Sequence, residues 1–121
     1  MDEIIIYEKP TCSTCRAAAG LLDESGREFT RVRYHEDRLG ADKIAELVRK
    51  MGVRPHDIVR TKEATFKELG VRLNDLSDER VIELLATYPE LIERPILEYG
   101  GRAVLGRPAE NVTTFLKEIE P

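Results

Sequence analysis

No apolar run in this sequence approaches the roughly 20 residues that a helix needs to cross a bilayer. The longest, Ile4-Ile5-Ile6 and the segment from Val81 to Leu85, are far shorter. An excess of positive charge is missing too: 19 Lys and Arg stand against 23 Asp and Glu, a formal net charge of −4. No general field therefore draws the chain to nucleic acid or to an anionic membrane, and any basic site has to be local. Met1-Asp2-Glu3 leads straight into apolar residues, without the basic stretch and small-residue cleavage site of a secretory leader, so a soluble protein of the cytoplasm is expected. Cysteine is nearly absent, and its two copies are spaced Cys-x-x-Cys. In a reducing compartment that spacing points to redox or metal chemistry more than to a structural disulfide. There is no repeat, low-complexity tract or flexible linker, and 121 residues with 41% apolar content suit one compact domain.

What is present alternates strand and helix signals. Residues 3 to 7 read as a short buried strand, and the Lys9-Pro10-Thr11 turn leads into a helix over about 13 to 23 that Ser25-Gly26 closes. Phe29, Val32 and Tyr34 among charged neighbours give a second strand over 28 to 34. Ile44, Leu47, Val48 and Met51 recur at helical spacing, ended by Gly52. Thr61 is placed to cap a helix that carries Phe66 and Leu69 and stops at Gly70. Ser77, followed by Asp78 and Glu79, is placed to cap one that carries Val81, Leu84 and Leu85 and ends at Tyr88-Pro89. Segments 95 to 99 and 102 to 105 flank Gly100-Gly101, a favoured two-residue hairpin turn. Pro108 opens a final helix with Val112, Phe115, Leu116 and Ile119 facing inward. This order of βαβ, helices and ββα predicts an α/β fold of thioredoxin type with a helical insertion over about residues 36 to 90.

Cys12 falls where a turn becomes a helix, so its sulfur can face unsatisfied N–H groups at the positive end of the helix dipole. Lys9 and Arg16 add positive charge nearby. Such settings lower a thiol pKa from about 8.5 to between roughly 3.5 and 7.5, which predicts a nucleophile at neutral pH. Cys15 lies three residues on, where neighbouring Cβ atoms on a helix are about 5 to 6 Å apart and modest adjustment permits a disulfide. It is placed to resolve what Cys12 forms. An incidental pair fits less well, because both thiols follow a strand and a proline turn and open a helix, as redox motifs do. A zinc site would need further ligands, and only His35 and His56 offer them, at no standard finger spacing. No metal is expected, and both histidines read as solvated loop residues.

Three groups of residues then belong together: Tyr7-x-x-Pro10-x-Cys12-x-x-x-Arg16; Arg60 followed by Phe66-x-x-Leu69-Gly70; and Leu91-Ile92-x-Arg94-Pro95-Ile96 with Gly106-Arg107-Pro108. On these motifs, over nearly its whole length, the chain resembles the glutaredoxin-linked arsenate reductases, the ArsC family, and their relatives the Spx-type redox transcription regulators. The resemblance implies a thioredoxin-like, glutaredoxin-type mixed sheet with an inserted helical subdomain, all within one domain over residues 1 to 121. It implies a cis Arg94-Pro95 bond beside the catalytic cysteine, X-Pro being the only peptide bond that takes cis cheaply. It implies that Cys12 attacks arsenate or a similar oxyanion and that Arg60, Arg94 and Arg107 hold the anion and its thiol adducts, with Arg16 and Pro95 in support. The chemistry independently asks for such cations, since an anion repels a thiolate until fixed donors neutralise its oxygens, and the planar guanidinium offers them paired N–H bonds. No bound cofactor is implied, only an external thiol reductant.

Two departures from the family pattern bear on mechanism. The reductases usually carry serine or another non-thiol where this chain has Cys15, and recycle through glutathione and glutaredoxin. Cys15 permits an internal disulfide with Cys12 and makes thioredoxin a fitting partner as well. The family also often has His-Asn where this chain has Glu8-Lys9. The Spx-type regulators carry the Cys-x-x-Cys as a redox switch and dock on RNA polymerase, but lack the arginines at positions 60 and 107 and have a longer tail. The expected function is thus reduction of arsenate, or a similar oxyanion, to arsenite, with Cys15 or an external thiol resolving the Cys12 adduct. A polymerase-binding redox regulator is the alternative, and neither nucleic acid nor a membrane is an expected direct partner.

Overall fold

A computed structural model of the chain describes residues 3 to 119. The residues form two compact units: one from the described residues up to Asp37 together with those from Arg94 onward, the other from Arg38–Glu93.

The first unit holds β1 (Ile4–Glu8), α1 (Ser13–Glu24), β2 (Phe29–Arg33), β3 (Ile96–Tyr99), β4 (Arg102–Leu105) and a C-terminal helix (Glu110–Glu118). Its sheet has the order β2-β1-β3-β4, with β1 parallel to β2 and antiparallel to β3, and β3 antiparallel to β4. Gly100, at φ 58°, supplies the left-handed turn between β3 and β4 that an L side chain resists. Strand alternation sends Ile4, Ile6 and Leu97 to one face, where they pack with Ala18, Ala19 and Leu22 of α1 and with Val112, Phe115 and Ile119. The small Ala18 and Ala19 let α1 close onto the sheet. On the opposite face the Tyr7 hydroxyl donates a buried hydrogen bond of 2.6 Å to Glu98 Oε1. Gly106 is a place where no Cβ fits: one would come within 2.9 Å of Leu97 Cδ1 and 3.0 Å of Pro95 Cγ.

The second unit is helical: α2 (Ala41–Met51), α3 (Ala64–Leu69) and α4 (Asp78–Thr87), which makes the C-terminal helix α5, linked by 3-10 turns at Pro55–Ile58, Leu73–Asp75 and Pro89–Leu91. α2 packs on α4 and buries Ile44, Leu47 and Val48, while α4 buries Val81 and Leu85. Gly52 and Gly70 end α2 and α3 in the left-handed conformation. Ser77 caps α4, its side chain accepting the Arg80 N–H. No helix among the described residues is long and apolar enough to cross a membrane.

Four expectations change. Thr61 does not cap α3: its own N–H is bonded to the Val59 carbonyl in a turn, and Glu63 is the flanking residue of a helix that starts at Ala64. α5 begins at Glu110, with Ala109 as its flanking residue, and Pro108 stands ahead of the helix. His56 is not solvated; it is 7% exposed, with Nε2 2.7 Å from the Leu76 carbonyl oxygen. His35 is half-buried and lies against the Tyr34 ring. Short loops here are pressed onto neighbouring backbone, and an imidazole is buried where a carbonyl can satisfy it.

Candidate active site

The site begins where β1 stops. The chain turns through Lys9-Pro10-Thr11, and the Cys12 N–H closes that turn on the Lys9 carbonyl at 2.9 Å. Cys12 is the residue before the first turn of α1, with extended backbone (φ −85°, ψ 126°), and its carbonyl accepts the Arg16 N–H. This is the position from which a side chain faces the orphan N–H groups of a helix.

Both sulfurs are reduced; Cys12 is half-buried and Cys15 fully buried. Burial pushes the Cys12 thiol up. That is outweighed by the Cys15 backbone N–H, the Cys15 thiol, the Arg94 side chain and the Thr14 N–H, so its pKa falls to about 7. The N–H groups act without closing the short bond that a serine or aspartate cap would make. Cys15 goes the opposite way. Burial, and then its hydrogen bond to Cys12 and the Cys12 charge, push it up to about 12 against the Lys9 N–H and Arg94. One helical turn thus carries a thiol poised to ionise at neutral pH and one held firmly protonated.

The cation that reaches Cys12 is Arg94, itself 7% exposed and followed by the cis-linked Pro95. Arg107 Nη1 lies 3.4 Å from the Arg94 carbonyl oxygen as its donor, and its side chain lines a groove with Ser13, Thr14 and Ala17 of α1 and with Pro108 and Ala109. Arg16 turns back and donates to the Pro10 carbonyl at 3.4 Å, bracing the turn. The structure therefore gathers Cys12, Cys15, Arg94, Pro95, Arg107 and Arg16 within the first unit. Arg60 belongs to the second unit. There its Nε donates to Glu63 Oε1 at 3.0 Å and its Nη1 to Glu93 Oε1 at 2.7 Å. Burial works against its charge, but these two carboxylates win and hold its pKa above the ordinary value. Among the described residues no group of His, Cys, Asp and Glu is arranged to hold a metal ion.

One neighbour of the site in the chain, Glu8, stands out in the sequence only as part of the Glu8-Lys9 departure from the family pattern. Glu8 is 2% exposed, its Oε2 has no hydrogen-bond partner, and Arg31 Nη1 lies 3.7 Å away. Burial raises its pKa, with Arg31 and Arg33 pulling the other way. The available signal was the alternation Ile4, Ile6, Glu8, which puts a carboxyl in the third core-facing place of a strand.

The ArsC family model matches residues 7–115. A protein from the glnII region of Streptomyces viridochromogenes, itself uncharacterized, is 44% identical over 115 residues, covering 92% of this chain and 97% of that one. The arsenate reductase of Neisseria meningitidis is 34% identical over 117 residues, covering 96% of this chain and all of the relative. Among solved structures, arsenate reductase from Vibrio cholerae superposes with a TM-score of 0.88 at 32% identity, covering 93% of this chain and 97% of that one.

Proposed function

Since this chain belongs to the ArsC family and shares its thioredoxin-like fold, we propose that it is a thiol-dependent arsenate reductase with Cys12 as nucleophile. The observation that carries the reading is Cys12 itself, ionising near pH 7 at the head of α1 with the Arg94 side chain on its sulfur. The thiolate attacks arsenic, an arsenate oxygen leaves as water after protonation, and a Cys12 S–As(V) adduct forms. A second thiolate, from Cys15 or an external thiol, then attacks the Cys12 sulfur. The S–S bond forms, and the S–As bond breaks with its electron pair passing to arsenic, which leaves as arsenite. External thiols reduce the resulting disulfide, with glutaredoxin or thioredoxin as the partner, in a cytoplasmic setting that keeps both cysteines reduced.

Arg94 and Arg107 would neutralise the anion and the charge that shifts in the transition state. Arg60 is the third cation that the family resemblance assigns, and it would have to exchange Glu63 and Glu93 for substrate. Steady-state arsenate reduction tests this. Losing one charge-assisted hydrogen bond costs about 1.5 to 3 kcal/mol, so Arg94→Ala or Arg107→Ala should lower kcat/KM roughly tenfold to hundredfold. Arg60→Ala should cost less, because that charge is already compensated. Lysine at these positions should restore only part of the loss, since it keeps charge without the planar fork. Sulfate or phosphate should slow alkylation of Cys12. A parent chain that neither reduces arsenate nor binds oxyanions sinks the proposal. The redox-regulator reading would then be taken up by measuring binding to the RNA polymerase α subunit.

A further inference from the structure

Arg60 enters the proposed reaction already engaged. Its Nε donates to Glu63 Oε1 at 3.0 Å and its Nη1 to Glu93 Oε1 at 2.7 Å, so two of its three nitrogens are committed and one positive charge faces two negative ones. The side chains of Arg60, Glu63 and Glu93 are 24%, 30% and 24% exposed, so water and salt screen these pairs only in part. The carboxylates outweigh burial and hold the guanidinium charged.

The two partners are not equivalent. Glu63 lies three residues on, at the start of α3, and comes to Arg60 through its own short loop. Glu93 is brought from 33 positions away by the backbone. The Arg60 N–H bonds the Leu91 carbonyl and the Glu93 N–H bonds the Ile58 carbonyl, each at 2.8 Å, with Val59 opposite Ile92 in an antiparallel bridge. Residues 58–60 and 91–93 are thereby laced together, and the Arg60–Glu93 pair is a product of that lacing. Glu93 is also the residue that precedes Arg94, whose side chain acts on the Cys12 sulfur.

A carboxylate on a guanidinium takes the same N–H groups that an oxyanion would take. We infer that Glu93 is a positioning residue that competes internally with the oxyanion, holding Arg60 before substrate binds and yielding it as negative charge builds on the substrate oxygens. The exchange is one for one. The Arg60 Nη1–H bond passes from a Glu93 oxygen to an oxygen of the anion, while Glu63 keeps Nε and with it the orientation of the fork. A ground-state anion that offers Arg60 no more than Glu93 does gains nothing by the exchange. Thiolate attack adds negative charge to the oxygens around arsenic, and that state wins it. An interaction withheld from the ground state and made in the transition state raises kcat, whereas one made equally in both only lowers KM.

This inference rests on Arg60 being the third cation of an oxyanion site, and not on arsenate being reduced. Protection of Cys12 from iodoacetamide by inorganic phosphate and by sulfate, at constant ionic strength, reads ground-state binding without turnover. Glu93→Gln keeps the size of the side chain but offers Arg60 only a neutral acceptor, so the half-protecting concentration of either anion should fall about fivefold to tenfold. Glu93→Asp, with a shorter reach, should give a smaller fall. In an Arg60→Ala background Glu93→Gln should bring no gain, since the gain runs through Arg60. In steady-state arsenate reduction Glu93→Gln should lower KM by a similar factor and leave kcat no higher than the parent's. A substitution that merely loosened the fold would weaken protection instead. Unchanged or weaker protection in Glu93→Gln overturns the inference, as does a gain that survives in the Arg60→Ala background, or a kcat that rises while KM stays the same. Should Glu93→Gln fail to fold, unchanged or weaker protection in Glu93→Asp overturns it. A chain that does not reduce arsenate but shows the Arg60-dependent gain keeps this inference while losing the substrate, and one that reduces arsenate without the gain loses the inference alone.

Discussion

Cys12 and Cys15 are separated by one helical turn, and their thiols differ by several pH units in where they ionise, to about 7 and about 12. Iodoacetamide should therefore label Cys12 with a rate that is half-maximal near pH 7, while folded Cys15 stays unlabelled; peptide mass mapping distinguishes them. Preferential labelling of Cys15 would reverse the assignment of nucleophile. Stability follows the same asymmetry. A thiol whose pKa is raised on folding supports the fold fully below its ordinary value of about 9, and that support is lost as pH climbs from there towards about 12. The denaturation midpoint of the parent should accordingly fall more steeply in alkali than that of Cys15→Ser. The local part of this site was legible in the sequence, since Pro10, Cys12 and Cys15 lie within one turn and helix start, and Arg94-Pro95 is a single dipeptide. What was not legible is long-range: Arg60 is paired with Glu93, 33 positions away, and Glu8 becomes exceptional only when α1 covers it.

Helix and strand boundaries followed from local chemistry wherever the chain's own backbone decided them. Ser77 capped α4 and Gly52 and Gly70 ended α2 and α3, because hydroxyl acceptors and left-handed glycines act within a few residues. Thr61 had the right side chain in the wrong place, its backbone already committed to a turn. Gly106 shows an element whose requirement comes wholly from packing. Its N–H bonds to the Pro95 carbonyl at 2.8 Å, and a Cβ there would strike Leu97 and Pro95 and crowd Val112. Gly106→Ala should cost about 1 to 3 kcal/mol, as overpacking does. Thermal unfolding measures that cost, and a melting temperature equal to the parent's would show that β3 and α5 yield freely. Because Pro95 adjoins Arg94, the same variant should also react more slowly with iodoacetamide at Cys12.

For the molecule as a whole, the order of elements was readable but the order of strands was not. Hydrophobic periodicity separates strands from helices, whereas nothing in it says that β1 lies between a parallel and an antiparallel neighbour. Recycling is the property that belongs to the whole chain and its partners. If the internal disulfide is what thioredoxin reduces, Cys15→Ser should keep arsenate turnover with glutathione plus glutaredoxin and lose it with thioredoxin, while Cys12→Ser loses both. Equal loss with both reductants would give Cys15 some other task. The sheet carries one more consequence. The core beneath α1 is assembled from Ile4, Ile6, Ala18, Ala19 and Leu22 on one side and Leu97, Val112, Phe115 and Ile119 on the other. On the ribosome, a nascent chain that has exposed β1, α1 and β2 holds only the first half of that core, and must wait for the whole of Arg38–Glu93 to emerge before β3 and α5 can cover it. The cysteine pair is thus translated before the segments that house it, and Arg94 can act on Cys12 only after Arg38–Glu93 has been made.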